Sequence, residues 1–376
     1  MSRTSPDPPV VPDVGPGAFP FKIDILQGRL LFVRVSEEDY RISPFLDERL
    51  GPRPAAWHDL DATRRLLPPS RLPPRAGAWI FHIGHCGSTL LSHLLSDDPR
   101  LLPLREPLAL RALAEARRLL GRPDALTDAA GWAVWHDLLL RLFGRTERPY
   151  DRTLVKATSA CNNLLEPTLD AHPETRAIAL YVDLETYLAG MLRPETLNAL
   201  YSAADVRARD LAELGVEAPL YTLSVPELAA VNWLASVLRY LEILARRPSL
   251  ARRLRLVDFS SVLDEPRDRI EDLARFLFHD RDLASRLRRF DPRLLERYAK
   301  DQRYPFDPLQ RQRELDANRA RHGGAITRTL AWTQMLLAAH PLAEEVQALL
   351  RPRGIAPADS AADASQGGGK PPKPPL

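Results

Sequence analysis

The residues with the most chemical potential lie together between Phe81 and Leu91, in the run Gly84-His85-Cys86-Gly87-Ser88-Thr89 and its flanks. A short apolar stretch, Trp79 to Ile83, reads as a buried strand. Leu90, Leu91, Leu94 and Leu95 then recur at helical spacing. Glycines at such a strand-to-helix turn allow successive backbone N–H groups to face one concavity, and the helix start adds partial positive charge. That combination suits a phosphate or sulfate, with Ser88 and Thr89 supplying hydroxyl donors. The same residues also fit a plain turn in which Ser88 caps the helix. A nucleoside triphosphatase loop fits less well, because Ser88 follows Gly87 where that pattern requires Lys.

Elements that position this loop are legible on both sides. Residues 23 to 35 read as a strand pair joined by Gln27-Gly28-Arg29, and 153–156, 177–182 and 253–259 read as further strands. Helices are expected over 108–120, 129–143, 163–171 and 186–192. Ser224 and Glu227 form a capping box that opens a helix with an apolar stripe from Leu228 to Leu244. Pro266 starts another, with Ile270, Leu273, Phe276 and Leu277 inward. The alternation predicts an α/β chain: a P-loop-type three-layer fold with a central, mostly parallel sheet flanked by helices. Residues 1–17 and 357–376 are rich in Pro and Gly and are expected to be disordered. Residues 18–75 form a small α/β extension and 76–356 the main domain.

A hydrophobic content of 45% with 27% charged residues is that of a soluble globular protein, and a net charge of +3 is too small to argue for nucleic acid. Cys86 and Cys161 are the only cysteines and cannot form a disulfide framework, so a reducing, cytoplasmic location is expected. The first residues lack an apolar signal-peptide core, and charged residues interrupt the apolar runs before 18 residues, which argues against a membrane span. The nine His have no metal-ligand spacing, so no metal is expected. Cys86, at a helix start, is expected to have a depressed thiol pKa.

The loop resembles the 5′-phosphosulfate loop of sulfotransferases, where Pro-Lys-Ser-Gly-Thr-Thr or Pro-Arg-Ser-Gly-Ser-Thr follows a strand. Gly87, Ser88 and Thr89 match; Gly84, His85 and Cys86 replace the family's Pro, its Lys or Arg, and its Ser. Asp97 to Pro107 is similar to the family stretch that carries a catalytic Glu seven residues after a Pro, which places Glu106 after Pro99. Residues 154–158, 171–182 and 256–277 resemble later family segments in the family's order, so the likeness spans roughly 78–280. One feature departs. The family grips the 3′-phosphate of its donor with an Arg and, eight residues on, a Ser; alignment on Asp183 puts Val182 and Gly190 there.

The resemblance implies a divergent, bacterial-type sulfotransferase with 3′-phosphoadenosine 5′-phosphosulfate as co-substrate. Its acceptor would be a small molecule, saccharide or lipid, bound by the segments 18–75, 108–150 and 195–225. Glu106 would be the general base, taking a proton from an acceptor hydroxyl or amine; its other reading is a surface Glu at a helix start. Arg105 pairs either with a phosphate or with Glu106, and the second choice weakens the base. His85 stands where the family has a cation and assists only if a bound polyanion raises its pKa from near 6.5; otherwise it bonds the loop. Lys156 is a further phosphate contact or a solvent-facing Lys. Arg193, with Arg297, Lys300, Arg303 and Arg311, is a candidate holder of the 3′-phosphate, against the reading of a solvated basic helix. Two other functions stay open. Loss of the Arg and Ser pair favours a non-catalytic relative that binds a nucleotide or phosphorylated ligand or acts as a scaffold, and a nucleotide kinase is weakened by the missing loop Lys.

Overall fold

Near-continuous apolar runs form strands buried on both faces, and that is how the main sheet is made. The computed structural model describes residues 17–67, 77–146, 150–296 and 308–352. Within them β1 (Ala18–Asp24), β2 (Arg29–Arg34) and β3 (Ala55–Asp59) make a small antiparallel sheet in that order. The main sheet contains β4 (Ala78–His82), β5 (Leu101–Arg105), β6 (Arg152–Lys156), β7 (Arg176–Tyr181) and β8 (Leu254–Asp258). It is parallel throughout, with the order β5-β6-β4-β7-β8. The α/β class and the central parallel sheet are therefore as expected. The strands β3 and β5 were not. β5 contains Pro103, which reads as a strand breaker, yet β5 lies at the sheet edge, where a missing N–H is tolerated.

The strand order has a functional consequence. From β4 the chain moves to one side of the sheet, to β5 and β6, and then crosses to β7 on the other side. The carboxyl end of β4 is thus a switch point, where connections diverge and leave a crevice.

Helix Val225–Arg246 is long and apolar enough, at a mean hydropathy of 1.4 over its best window, to pass for a membrane span by length and composition, although Glu227, Arg239 and Glu242 interrupt it. Its apolar side chains, Trp233, Val237 and Leu238 among them, are buried inside the protein. Trp233 Nε1 donates to the Val182 carbonyl at 2.8 Å, so it serves as a core helix. The Glu227 carboxylate accepts from the Ser224 amide at 2.7 Å, as the capping box requires.

The small sheet is not a separate body, because Phe19, Leu30 and Phe32 belong to the same apolar core as the main sheet. Arg105 helps to lock the two together. Its buried guanidinium donates to the Tyr40, Arg41 and Ser43 carbonyls and to the Ser92 and Ser96 hydroxyls, and burial pulls its pKa down to about 9. It therefore pairs with neither Glu106 nor a phosphate. Successive strand residues face opposite sides, and Arg105 points away from the crevice. Leu46 N–H also bonds the Arg105 carbonyl at 2.7 Å, which lays Phe45, Asp47 and Arg49 across the end of β5.

Candidate active site

Backbone geometry defines the loop after β4. Gly84 and Gly87 have φ of +83° and +84°, in the left-handed region where glycine carries no Cβ penalty. A Cβ on Gly87 would also lie 2.1 Å from Cε1 of Phe259. Gly87→Ala is expected to force the Phe259 ring or the first helical turn aside, costing about 1–3 kcal/mol and lowering the melting temperature by several degrees in a circular-dichroism scan. Gly87, not Ser88, is the residue before the helix, which runs Ser88–Leu94. First-turn amides have no carbonyl within their own helix to bond. Those of Gly87 and Thr89 donate to no oxygen of the described residues outside the helix, whereas the Ser88 amide is directed at the Cys86 sulfur. The Gly84 amide is committed, donating to His82 Nδ1 at 2.9 Å.

A cavity of ≈ 840 Å³ opens above this loop. Gly84, His85, Gly87, Ser88 and Thr89 line its floor, and Glu106 faces the same space. All three segments expected to bind an acceptor reach it, through Phe45 and Arg49, through Arg111, and through Ala199, Ala203 and Arg207. Cys86 is on the floor by sequence only. Its side chain is turned inward and fully buried, and burial pushes the thiol up to about 12. The expected low pKa is overturned because desolvation of a thiolate outweighs the helix start.

Glu106 directly follows β5 with φ +52°, a conformation that costs an ordinary residue about 1–2 kcal/mol. Its amide is held by the Lys156 carbonyl at 2.7 Å. The residue is 7% exposed, so it is not a surface Glu at a helix start; the next helix begins at Ala109. Lys156 is completely buried at the end of the neighbouring β6, and its ammonium is hydrogen-bonded to Glu106 Oε1. It is not solvent-facing. Arg111 Nη2 lies 3.8 Å from Glu106 Oε2, and His82 Nε2 lies 3.7 Å from Oε1. Burial, reinforced by the Lys156 charge, holds the His82 pKa well below the usual imidazole range.

Val182 and Gly190 also line the cavity, as do Arg193 and Arg311. Arg193 precedes helix Pro194–Ala212, and its Nε donates to the Gly190 carbonyl at 2.9 Å. Arg311 belongs to helix Pro308–Leu336, which packs on helix Leu184–Met191 and donates through Asn318 to the Ala189 carbonyl at 3.0 Å. Burial lowers the Arg311 pKa, and the nearby Arg193 charge adds to that. Neither guanidinium has a carboxylate within ion-pair distance among the described residues. Arg297, Lys300 and Arg303 lie outside the described residues.

The sequence reading did not anticipate His82, Arg111 and Arg207. His82 carried a signal, a polar residue inside an apolar strand, but its direction depends on how β4 sits against β6, which carries β5 on its far side. Arg207 is 2% exposed and is held by Asn232 Oδ1 at 2.7 Å and by Asp210, which also binds Arg118 at 2.7 Å. No cluster of His, Cys, Asp or Glu suited to a metal occurs among the described residues.

No protein-family model and no curated protein matches the sequence significantly. Solved structures similar to the chain include the sulfotransferase domain from the Synechococcus PCC 7002 olefin synthase, at 19% identity, covering 65% of this chain and 94% of that one, with a TM-score of 0.35. A sulfotransferase from Alicyclobacillus acidocaldarius is 16% identical, with 70% and 96% covered and a TM-score of 0.35. Sulfotransferase STF9 from Mycobacterium avium is 15% identical, with 70% and 80% covered and a TM-score of 0.37. At this distance the matches assign no donor, acceptor or residue role. The family of these structures is the one that the loop of this chain resembles.

Proposed function

We propose that the chain is a sulfotransferase-like enzyme that moves a sulfuryl group from 3′-phosphoadenosine 5′-phosphosulfate to an acceptor hydroxyl or amine. The observation that carries this reading is the placement of a glycine-rich helix start, Gly87 to Thr89, and a carboxylate on one cavity. In it, Gly87, Ser88 and Thr89 hold the 5′-phosphosulfate, with preorganised donors directed at charge that grows on the transferring group. Arg193 and Arg311 stand beside Val182 and Gly190 and would neutralise the 3′-phosphate in place of the family's Arg and Ser. Glu106 takes the acceptor proton. The leaving phosphate is already a weak base, so no step needs a metal.

Calorimetric titration with adenosine 3′,5′-bisphosphate and with ATP tests the reading. Binding of the bisphosphate, with thermal stabilisation of about 2.7 kcal/mol at 100 times its dissociation constant, is the expected result. Binding of ATP alone would overturn it in favour of a kinase. One observation supports a second reading: the buried Lys156–Glu106 pair engages the base. A relative that binds the nucleotide without transfer would bind the bisphosphate equally well and release no product with any acceptor.

A further inference from the structure

His82 has a hydrogen-bonding state that the protein alone leaves incomplete. Its Nδ1 accepts from the Gly84 amide at 2.9 Å, so in the neutral ring the proton sits on Nε2. That Nε2–H is buried, makes no hydrogen bond of ordinary geometry among the described residues although the Ala157 backbone lies near the ring, and is 3.7 Å from Glu106 Oε1, too far for a direct bond. The residue is 4% exposed and lines the cavity. Glu106 Oε1 is meanwhile tied to Lys156. A donor and an acceptor separated by this distance form a two-point seat for one atom that can both accept and donate.

We propose that this seat selects the acceptor of the reaction suggested above: a hydroxyl group, alcohol or phenol, with amines rejected. A hydroxyl oxygen has one proton and two lone pairs. It can donate its proton to Glu106, accept from His82 Nε2–H with one pair and attack sulfur with the other. A neutral amine has a single lone pair, which it cannot give to both His82 and sulfur. A protonated amine has none, and it would enter a site already carrying the Lys156 and Arg111 charges. In the step itself the acceptor O–H proton passes to the Glu106 carboxylate and an O–S bond forms. The bond between sulfur and the bridging phosphate oxygen breaks, and the phosphate leaves with the electron pair.

The inference rests on the sulfotransferase reading, and the test separates the two. The full chain with 3′-phosphoadenosine 5′-phosphosulfate is offered 2-naphthol and 2-naphthylamine, matched in shape, and labelled sulfate transfer is measured for wild type, His82→Leu and His82→Gln. Transfer to the naphthol at least tenfold faster than to the amine is expected. His82→Leu should reduce that preference at least about tenfold, and His82→Gln, which keeps an N–H donor, should restore part of it. Equal rates with both compounds, or an unchanged preference in a folded Leu variant, would overturn the proposal. A crystal structure with adenosine 3′,5′-bisphosphate decides independently of any acceptor. An oxygen atom bridging Nε2 and Oε1 supports the seat, and a direct Nε2–Oε1 hydrogen bond or an Nε2 turned to a protein carbonyl sinks it. Failure of the bisphosphate to bind at all instead removes the donor reading on which it stands.

Discussion

Glu106→Gln is expected to slow sulfuryl transfer by about 10²–10⁴-fold while adenosine 3′,5′-bisphosphate binds within about twofold of wild type. The amide is isosteric, so it keeps the shape of the site, and its carbonyl oxygen can still accept from the Lys156 ammonium. What it cannot do is take a proton. Glu106 makes no hydrogen bond to the loop amides, which is why donor binding and transfer should separate. Measurement of kcat and of bisphosphate affinity on the same preparation checks this. A variant that retains transfer would remove Glu106 from the base role, and one that loses nucleotide binding would mean that the carboxylate helps to shape the donor site.

The largest effect on stability is expected at Lys156. It is completely buried and its charge is opposed chiefly by Glu106, so Lys156→Met strands a carboxylate that is itself nearly buried. Removing one partner of such a pair typically costs about 3–5 kcal/mol. Arg111 at 3.8 Å offers partial compensation and places the expected loss near the lower end. The double variant Lys156→Met with Glu106→Gln removes both charges and should recover most of the loss, giving a coupling energy that urea melts can read. Additive losses in the two single variants would show that the pair contributes little and that Glu106 is held by its backbone alone.

Why the Lys156 role was invisible in the sequence is instructive. Thr153 to Lys156 is legible as a strand, and a Lys at its end reads equally as a phosphate contact or as a solvent-facing side chain. The residues are 50 positions apart, and only the pairing of β5 with β6, Arg105 against Lys156, brings the ammonium to the carboxylate that follows. Arg105 illustrates the converse. Adjacent to Glu106 in sequence, it is the last residue of β5, turns away from the cavity and ties down the N-terminal segment.

Local patterns were enough for several conclusions. Alternating strand and helix signals determined the α/β class, because short apolar runs and period-3.6 stripes are written in neighbouring residues. The glycine-rich turn at Gly84 to Thr89 and the Ser224–Glu227 cap were equally local. Chain topology decided the rest: that Pro103 lies on an edge strand, that Cys86 turns inward and keeps its proton, and that His82, Glu106 and Lys156 converge at the carboxyl ends of β4, β5 and β6. The reason is physical. A turn is specified by the conformations of a few consecutive residues, whereas burial, charge pairing and the fate of a buried N–H depend on which strands lie side by side, and that is a property of the folded chain.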